Sequence, residues 1–197
     1  MNRALIIGED ALCCALGVKL IRSCLPHLNL DPFIDKKGRT KLFPELPRLS
    51  GAATPDRLVL CVGDTDRNCA RSILDQYLPE TVPRTFVFRL AVTESESWVL
   101  ADREMFARYF AIPLECIPRQ TDPIQDPKRL LVTMMQRSKR RTFREEMVSM
   151  RDPNKPGTGY NRHLEDFIQG HWRFANACES SESLRRAVAR LKSLAHS

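Results

Sequence analysis

Three sets of carboxylates stand directly behind apolar runs in this chain. "RALIIG" (3–8) is followed by Glu9 and Asp10, and "RLVLCV" (57–62) by Gly63 and then Asp64 and Asp66. "RTFVFRLAV" (84–92) runs into "TESESW", which carries Glu94 and Glu96. Runs of this kind suit buried strands. Acids are poor packing material at strand ends, but their hard oxygens suit a cation such as Mg²⁺. Two Asp at i, i+2 in an extended segment face the same side, which makes Asp64 and Asp66 a compact pair. Each motif alone also has a plain structural role. Asp66 can cap a helix starting near residue 68. Glu9 can supply the negative charge that a first helical turn favours. Thr93-x-x-Glu96 fits a capping box, which would leave Glu94 in solvent. Their conjunction favours metal binding. Three acid-tipped strands on one edge of a parallel sheet repel one another unless a cation compensates.

The elements that must position these acids alternate. A helix over 10–24 is indicated by Leu12, Ala15, Leu16 and Leu20 at helical spacing. Residues 29–49 read as a short strand, a basic loop and a short helix made irregular by Pro44 and Pro47. Strand 57–62 is followed by a helix over 68–78, and strand 84–92 by a helix over 95–110. Strands alternating with helices imply a mostly parallel sheet flanked by helices, and such sheets bind ligands beyond the carboxyl ends of their strands. The second half reads as helical, with one or two helices over 127–150, a loop over 152–160, and helices over 161–178 and 181–194. The expected fold is therefore α/β, with a core over 1–112 and a C-terminal helical extension over 113–197 packed on it as one compact unit.

Composition excludes some classes of protein. The 197 residues are 43% hydrophobic, as in ordinary globular chains, and no apolar run is long enough to cross a bilayer. Glu9 and Asp10 interrupt the early apolar stretch and make it a poor signal peptide. Seven cysteines without CxxC or paired Cys/His spacing point to a reduced, cytoplasmic protein without disulfides or zinc. Net charge is +7, unevenly spread. Residues 1–100 hold 13 Lys and Arg against 12 Asp and Glu, and residues 101–197 hold 18 against 12. A basic second half attracts polyanions, or simply confers solubility.

A strand ending in Glu, then a strand ending in DxD within a small α/β unit, resembles the Toprim domain shared by topoisomerases, DnaG-type primases and OLD-family nucleases. "LAVTESESWVLADREMFARYF", "DPKRLL", "GTGYN" and "SESLRRAVARL" together resemble more closely a family of bacterial Toprim-like proteins, often encoded beside AAA-type ATPases in phage-defence loci. The first motif departs from the usual form, in which Gly follows the Glu; here Asp10 does. The resemblance implies that Glu9 is the Toprim glutamate and that Asp64 and Asp66 are DxD ligands of Mg²⁺ or Mn²⁺. It makes Glu96 a further ligand or general base, with Glu94 beside it. Lys128 in "DPK" matches the lysine that nuclease members hold near the scissile phosphate. Its plain alternative is a helix start, with Asp126 as N-cap and Pro127 at the first position.

Other features point less far. "KPGTGY" lacks the GK[ST] of a P-loop and reads as a turn. His163 and His171 are eight apart, but without HExxH they define no zinc site. Trp98 and Trp172 read as core residues. "RSKRRTFRE" (137–145) is a solvated helix face, a phosphate-backbone contact, or a docking surface for an acidic partner. The expectation is a Mg²⁺-dependent nuclease, the effector of an ATPase-coupled anti-phage system, acting on nucleic acid with no membrane association. Glu9, Asp64, Asp66, Glu96 and Lys128 would carry the chemistry, and Arg137, Lys139, Arg140 and Arg141 would track the backbone. The alternatives are a non-catalytic regulatory or sensor subunit of an ATPase complex, and nucleotidyl or phosphoryl transfer. Changing Arg137, Lys139, Arg140 and Arg141 together to Gln is expected to weaken nucleic-acid binding across sequences. The log–log salt slope should flatten by about 0.7–0.9 for each phosphate that is no longer neutralised, read by titration at several salt concentrations. Normal nucleic-acid binding with loss of the ATPase would make the run a docking surface instead.

Overall fold

The computed structural model describes residues 1–195. The described chain forms two compact units, one of Met1–Val92 together with residues 186–195, the other of Thr93–Arg185. The first holds a wholly parallel sheet. Its strands are β1 (Arg3–Gly8), β2 (Asn29–Leu30), β3 (Ile34–Asp35), β4 (Arg57–Asp64) and β5 (Phe86–Ala91). β1 and β4 pair from Arg3↔Arg57 to Gly8↔Val62, and β4 and β5 from Val59↔Phe86 to Asp64↔Ala91. β2 and β3 both pair with the outer side of β1, at its start and its end, as one broken edge strand. The break falls at Pro32, which has no N–H to give a ladder.

Both faces of the sheet are covered, which is why β1 and β4 read as unbroken apolar runs rather than alternating ones. On one face Leu5, Ile7, Val59, Cys61, Phe86 and Phe88 pack with Leu42, Phe43, Leu46, Leu49 and Ile73. These last come from α2 (Arg39–Leu42), a 3₁₀ turn (Phe43–Glu45), α3 (Leu46–Ser50) and α4 (Ala70–Tyr77). On the other face lies α1 (Ala11–Cys24), whose Gly17 comes so near Ile6 that a Cβ there would sit 2.7 Å from its methyl. Asp10 caps α1 by accepting a hydrogen bond from the Cys13 amide at 2.8 Å.

The second unit holds α5 (Glu96–Ala101), α6 (Arg103–Phe110), a 3₁₀ turn (Leu114–Cys116), α7 (Pro127–Gln136), α8 (Arg141–Glu146), α9 (Tyr160–Gly170) and α10 (Phe174–Ser180). It also takes the first residues of α11 (Glu182–Ala195). The single helix expected over 95–110 is broken at Asp102, whose backbone leaves the helical region. Its buried carboxylate instead accepts from the Arg173 amide at 2.8 Å and from Nε and Nη2 of the Arg173 guanidinium. The helix expected over 161–178 is likewise interrupted, by Trp172, whose indole N–H donates to the Trp98 carbonyl at 3.1 Å. Trp98 and Trp172 are fully buried, and Phe106, Phe110, Phe143 and Phe167 pack ring against ring beside Tyr109. No described helix is long and apolar enough to cross a membrane.

Asp31, just after β2, ties the first unit together at the amino edge of its sheet. Its carboxylate accepts from Arg3 of β1 at 2.9 Å and 2.5 Å, and from Arg57 of β4 at 3.1 Å and 2.8 Å. Burial alone would raise its pKa, but the hydrogen bonds and charges of the two arginines outweigh burial and hold it below 3.8. A depressed carboxyl stabilises the fold above its unfolded pKa, and that stability disappears as pH falls through the folded value. Asp31→Asn should cost about 1 kcal/mol at pH 7, limited by the solvent-exposed guanidiniums. In thermal melts the gap from wild type should narrow as pH falls below the ordinary 3.8 and through the lowered folded value.

Candidate functional site

Of the acids expected at the carboxyl edge of the sheet, Glu9 and Asp64 stand at the ends of β1 and β4. Glu9 directly follows β1, and its amide extends the ladder by donating to the Val62 carbonyl at 2.9 Å. Its side chain crosses to the neighbouring strand, where Oε2 accepts the amide of Asp64, the last residue of β4, at 3.0 Å. Glycines clear the way. A Cβ on Gly63 would lie 3.1 Å from Glu9 Oε2 and 3.0 Å from the Phe43 ring, and one on Gly8 would collide with the start of α1. Gly38, at φ +120°, brings the following loop over the site and donates to the Glu9 carbonyl at 2.8 Å.

Burial raises the pKa of the Glu9 carboxyl. The bond from the Asp64 amide pulls it down, the charges of Asp66 and Asp10 push it further up, and Arg39 opposes them. Asp64 is buried, and its Oδ1 faces the Cys13 thiol at 3.7 Å. Asp66 departs from expectation. It does not continue the strand on the side of Asp64, because the chain turns at Thr65–Asn68 with Asp66 and Arg67 both in the left-handed region, φ 46° and 66°. Asn68 fixes the turn by donating its side-chain amide to the carbonyls of Thr65 and Asp66. Nor does Asp66 cap α4, whose N-cap is Cys69. It pairs with Arg39, Nη1 to Oδ2, at 2.8 Å.

The donor set has the chemistry of a hard-cation site, but the arrangement does not. Among the described residues no group of three or more His, Cys, Asp or Glu side chains is gathered as a metal cage. Glu9 is committed to the Asp64 amide and Asp66 to Arg39. A divalent ion does not fit the acids as they stand.

Glu96 and Lys128 belong to the second unit, where they meet. Glu96 is 1% exposed. Its Oε1 accepts the Tyr160 hydroxyl at 3.1 Å and lies 3.4 Å from Lys128 Nζ. Thr93 is not the N-cap of α5: it takes φ 63°, an unusual conformation for a β-branched residue, and Ser95 precedes a helix that begins at Glu96. Glu94 is not left in solvent. It accepts the Lys128 amide at 2.9 Å while Asp126 accepts the Arg129 amide at 2.9 Å, so two carboxylates close the N-terminus of α7. The N-cap role of Asp126 with Pro127 behind it is as the sequence indicates. Lys128, Arg129 and Lys155 line an open cleft of about 400 Å³ with Asp126 and Asp152.

The basic run is not one helical face. Arg137 ends α7, Lys139 and Arg140 lie in the connector, and Arg141 opens α8. All four are exposed; Arg140 lies over the Phe143 ring and Arg141 pairs with Glu145 at 2.7 Å. In "KPGTGY", Gly157 and Gly159 lie so close to Glu146 that a Cβ on either would clash with it. His163 Nε2 is 2.8 Å from the Glu146 carboxylate, and the His171 ring stacks near Tyr109. Arg39, Cys13 and Tyr160, which touch the candidate acids, carry no local signal that joins them to those acids in the sequence. No protein-family model matches the chain, and neither curated proteins nor solved structures give a significant match.

A carboxyl whose pKa is raised above its ordinary 4.5 by folding opposes stability increasingly as pH rises past that value. Glu9→Gln keeps an oxygen for the Asp64 amide and removes the charge. It should melt higher than wild type at pH 8, and the gap should close towards pH 4. A mutant less stable than wild type at both pH values would show that the carboxylate is needed for the fold.

Proposed function

We propose that this chain is a Toprim-like protein that acts on nucleic-acid phosphodiesters as the effector of an ATPase-coupled anti-phage system. The observation that carries this reading is the junction of Glu9 with Asp64. A Glu after the first strand and the first Asp of a DxD on its central neighbour meet at the carboxyl edge of a parallel sheet, where open α/β sheets take their ligands. Crowding of Asp66 and Asp10 around Glu9 supports a site that gains from added positive charge. In this reading Glu9 and Asp64 form the fixed part of the site, and Asp66 joins them only when Arg39 lets it go. Lys128, anchored by buried Glu96 and facing the open cleft, is suited to a phosphate. The exposed Arg137, Lys139, Arg140 and Arg141 are suited to a backbone or to an acidic face of the AAA-type ATPase.

The Arg39–Asp66 pair favours a second reading, a non-catalytic regulatory or sensor subunit that keeps the acids but neutralises them internally. Cleavage separates the two. With Mg²⁺ or Mn²⁺, DNA, RNA and tRNA should be tested with and without the cognate ATPase. The nuclease reading expects cleavage of at least one of them. It also expects Asp64→Asn to lower the rate at least ~100-fold without lowering the melting temperature. No cleavage of any substrate in any combination leaves the regulatory subunit.

A further inference from the structure

We infer that the cleft between α7 and the turn over Leu114–Cys116, in the second unit, is a docking site for an acidic peptide segment of a partner protein. The segment seats one apolar side chain in the cleft and lays its carboxylates over Arg137 and Lys139. The inference deepens the reading of the basic run as a docking surface, and it does not depend on the acids at the sheet edge. One wall is a face of α7, where Leu130, Thr133, Met134 and, at the C-cap, Arg137 stand at i, i+3, i+4 and i+7. Ile112, Pro113 and Cys116 form the other. Both walls are pinned from within the unit. Arg103 of α6 donates from Nε and Nη2 to the Ile117 carbonyl at 3.2 Å and 2.9 Å, which holds the far end of the turn. The Lys139 amide donates to the Ala111 carbonyl at 3.0 Å and the Ser138 hydroxyl to the Phe110 carbonyl at 2.6 Å, which ties the end of α7 to the start of the opposite wall. The cleft is thus formed before anything occupies it.

Size and lining decide the occupant. The volume is about 160 Å³. An apolar cavity of about 150 Å³ holds a benzene-sized group, whereas sites for drug-sized ligands run from about 300 Å³ upward. The cleft therefore takes one Leu, Met or Phe side chain rather than a whole small molecule. The Thr133 hydroxyl is spent on its own helix, donating to the Arg129 carbonyl at 2.9 Å, so the walls offer apolar contact and few hydrogen bonds. Among the described residues that line the cleft none is aromatic, which counts against a nucleobase, since unpaired bases stack on aromatic faces. The rim adds charge on one side. Arg137 closes the α7 wall, and exposed Lys139 follows it at most about 7 Å further along the chain, a span that two or three successive carboxylates cover. Arg141 already pairs with Glu145 and Arg140 lies over the Phe143 ring, whereas neither Arg137 nor Lys139 is in an ion pair among the described residues. Glu115 is exposed on the turn opposite, so the acidic flank of the segment is drawn towards Arg137 and Lys139 and away from the turn. A buried apolar anchor within a polar rim is how protein partners are commonly held.

The test is fluorescence anisotropy with labelled ten-residue peptides that carry one Leu, Met or Phe followed by four Glu, the other positions being Gly and Ser. At least one should bind the wild-type protein with a dissociation constant below about 1 mM. Replacing its apolar residue by Ala should weaken binding at least about tenfold, as expected for a side chain of that size withdrawn from water. Replacing its Glu residues by Gln, or combining Arg137→Gln with Lys139→Gln in the protein, should weaken binding about threefold to fivefold, and less at higher salt, since the charges lie on an exposed rim. Cys116→Phe and Thr133→Leu each fill the cleft from one wall, and either one that melts like wild type should lose the preference for the apolar anchor. The peptide substitutions leave the protein untouched, so they decide the matter even where a filled variant does not fold. An Ala peptide that binds as tightly as its parent would overturn the inference, because charge alone would then explain the contact. Absence of binding by every peptide would overturn it too. So would a ten-nucleotide oligothymidylate whose binding is weakened by the filled variants as much as that of the peptide, since the cleft would then belong to nucleic acid. Cleavage of nucleic acid by a protein that binds none of the peptides would leave the nuclease reading standing and remove this one.

Discussion

A carboxyl group partly withdrawn from water constrains everything around it, and Glu9 is that group in the first unit. It sits where β1 ends, beside the Asp64 amide of β4, which lies beyond the last residue pair of those two strands. Each group supplies the partner that the other needs. The consequences spread outwards. Gly63 must be small so that Oε2 can reach the strand, Gly38 must turn so that the loop can close over the Glu9 carbonyl, and Arg39 must stay near to balance the acids. The same carboxylate thus sets the alignment of two strand ends, the path of one loop and the charge balance of the edge.

The second unit meets the same difficulty differently. Glu96 is more deeply buried than Glu9, and it is answered by side chains from distant parts of that unit, the Tyr160 hydroxyl and the Lys128 ammonium. Removing one partner of a buried charge is more damaging than never having had the pair. The three residues therefore form a unit in which Lys128 is positioned by Glu96 as much as Glu96 is neutralised by Lys128. Asp102 with Arg173 repeats the pattern at the break between α5 and α6.

The sequence made the sheet legible because burial on both faces leaves its strands as apolar runs, and the strand-end acids stand out against them. The cap of α7 was legible for a local reason, since Asp126 bonds an amide three residues on. What could not be read was decided across long separations. Arg39 meets Asp66 from 27 positions away and Tyr160 meets Glu96 from 64, with no periodicity to link them. The side of the chain on which Asp66 falls depends on two consecutive left-handed residues, neither of them glycine, and nothing in "GDTDRN" announces that turn. Asp102 likewise looks like an ordinary helical residue until Arg173 arrives. The basic run looked continuous because charge is visible in sequence, whereas the buried Ser138, which bonds the Phe110 carbonyl at 2.6 Å and separates α7 from α8, is not.

The broken strand outside β1 has its own consequence. A long, flat outer strand offers a row of unused amides and carbonyls to any extended chain that passes. Here that row is cut into two pairs of residues by Pro32, while Asp31 is pulled inward by its arginines. The exposed side chains of Phe33 and Ile34 are therefore offered without the continuous backbone template that would let a foreign strand zip onto them. The border of the sheet on this side is sticky only in its side chains, and that is a safeguard against runaway self-assembly.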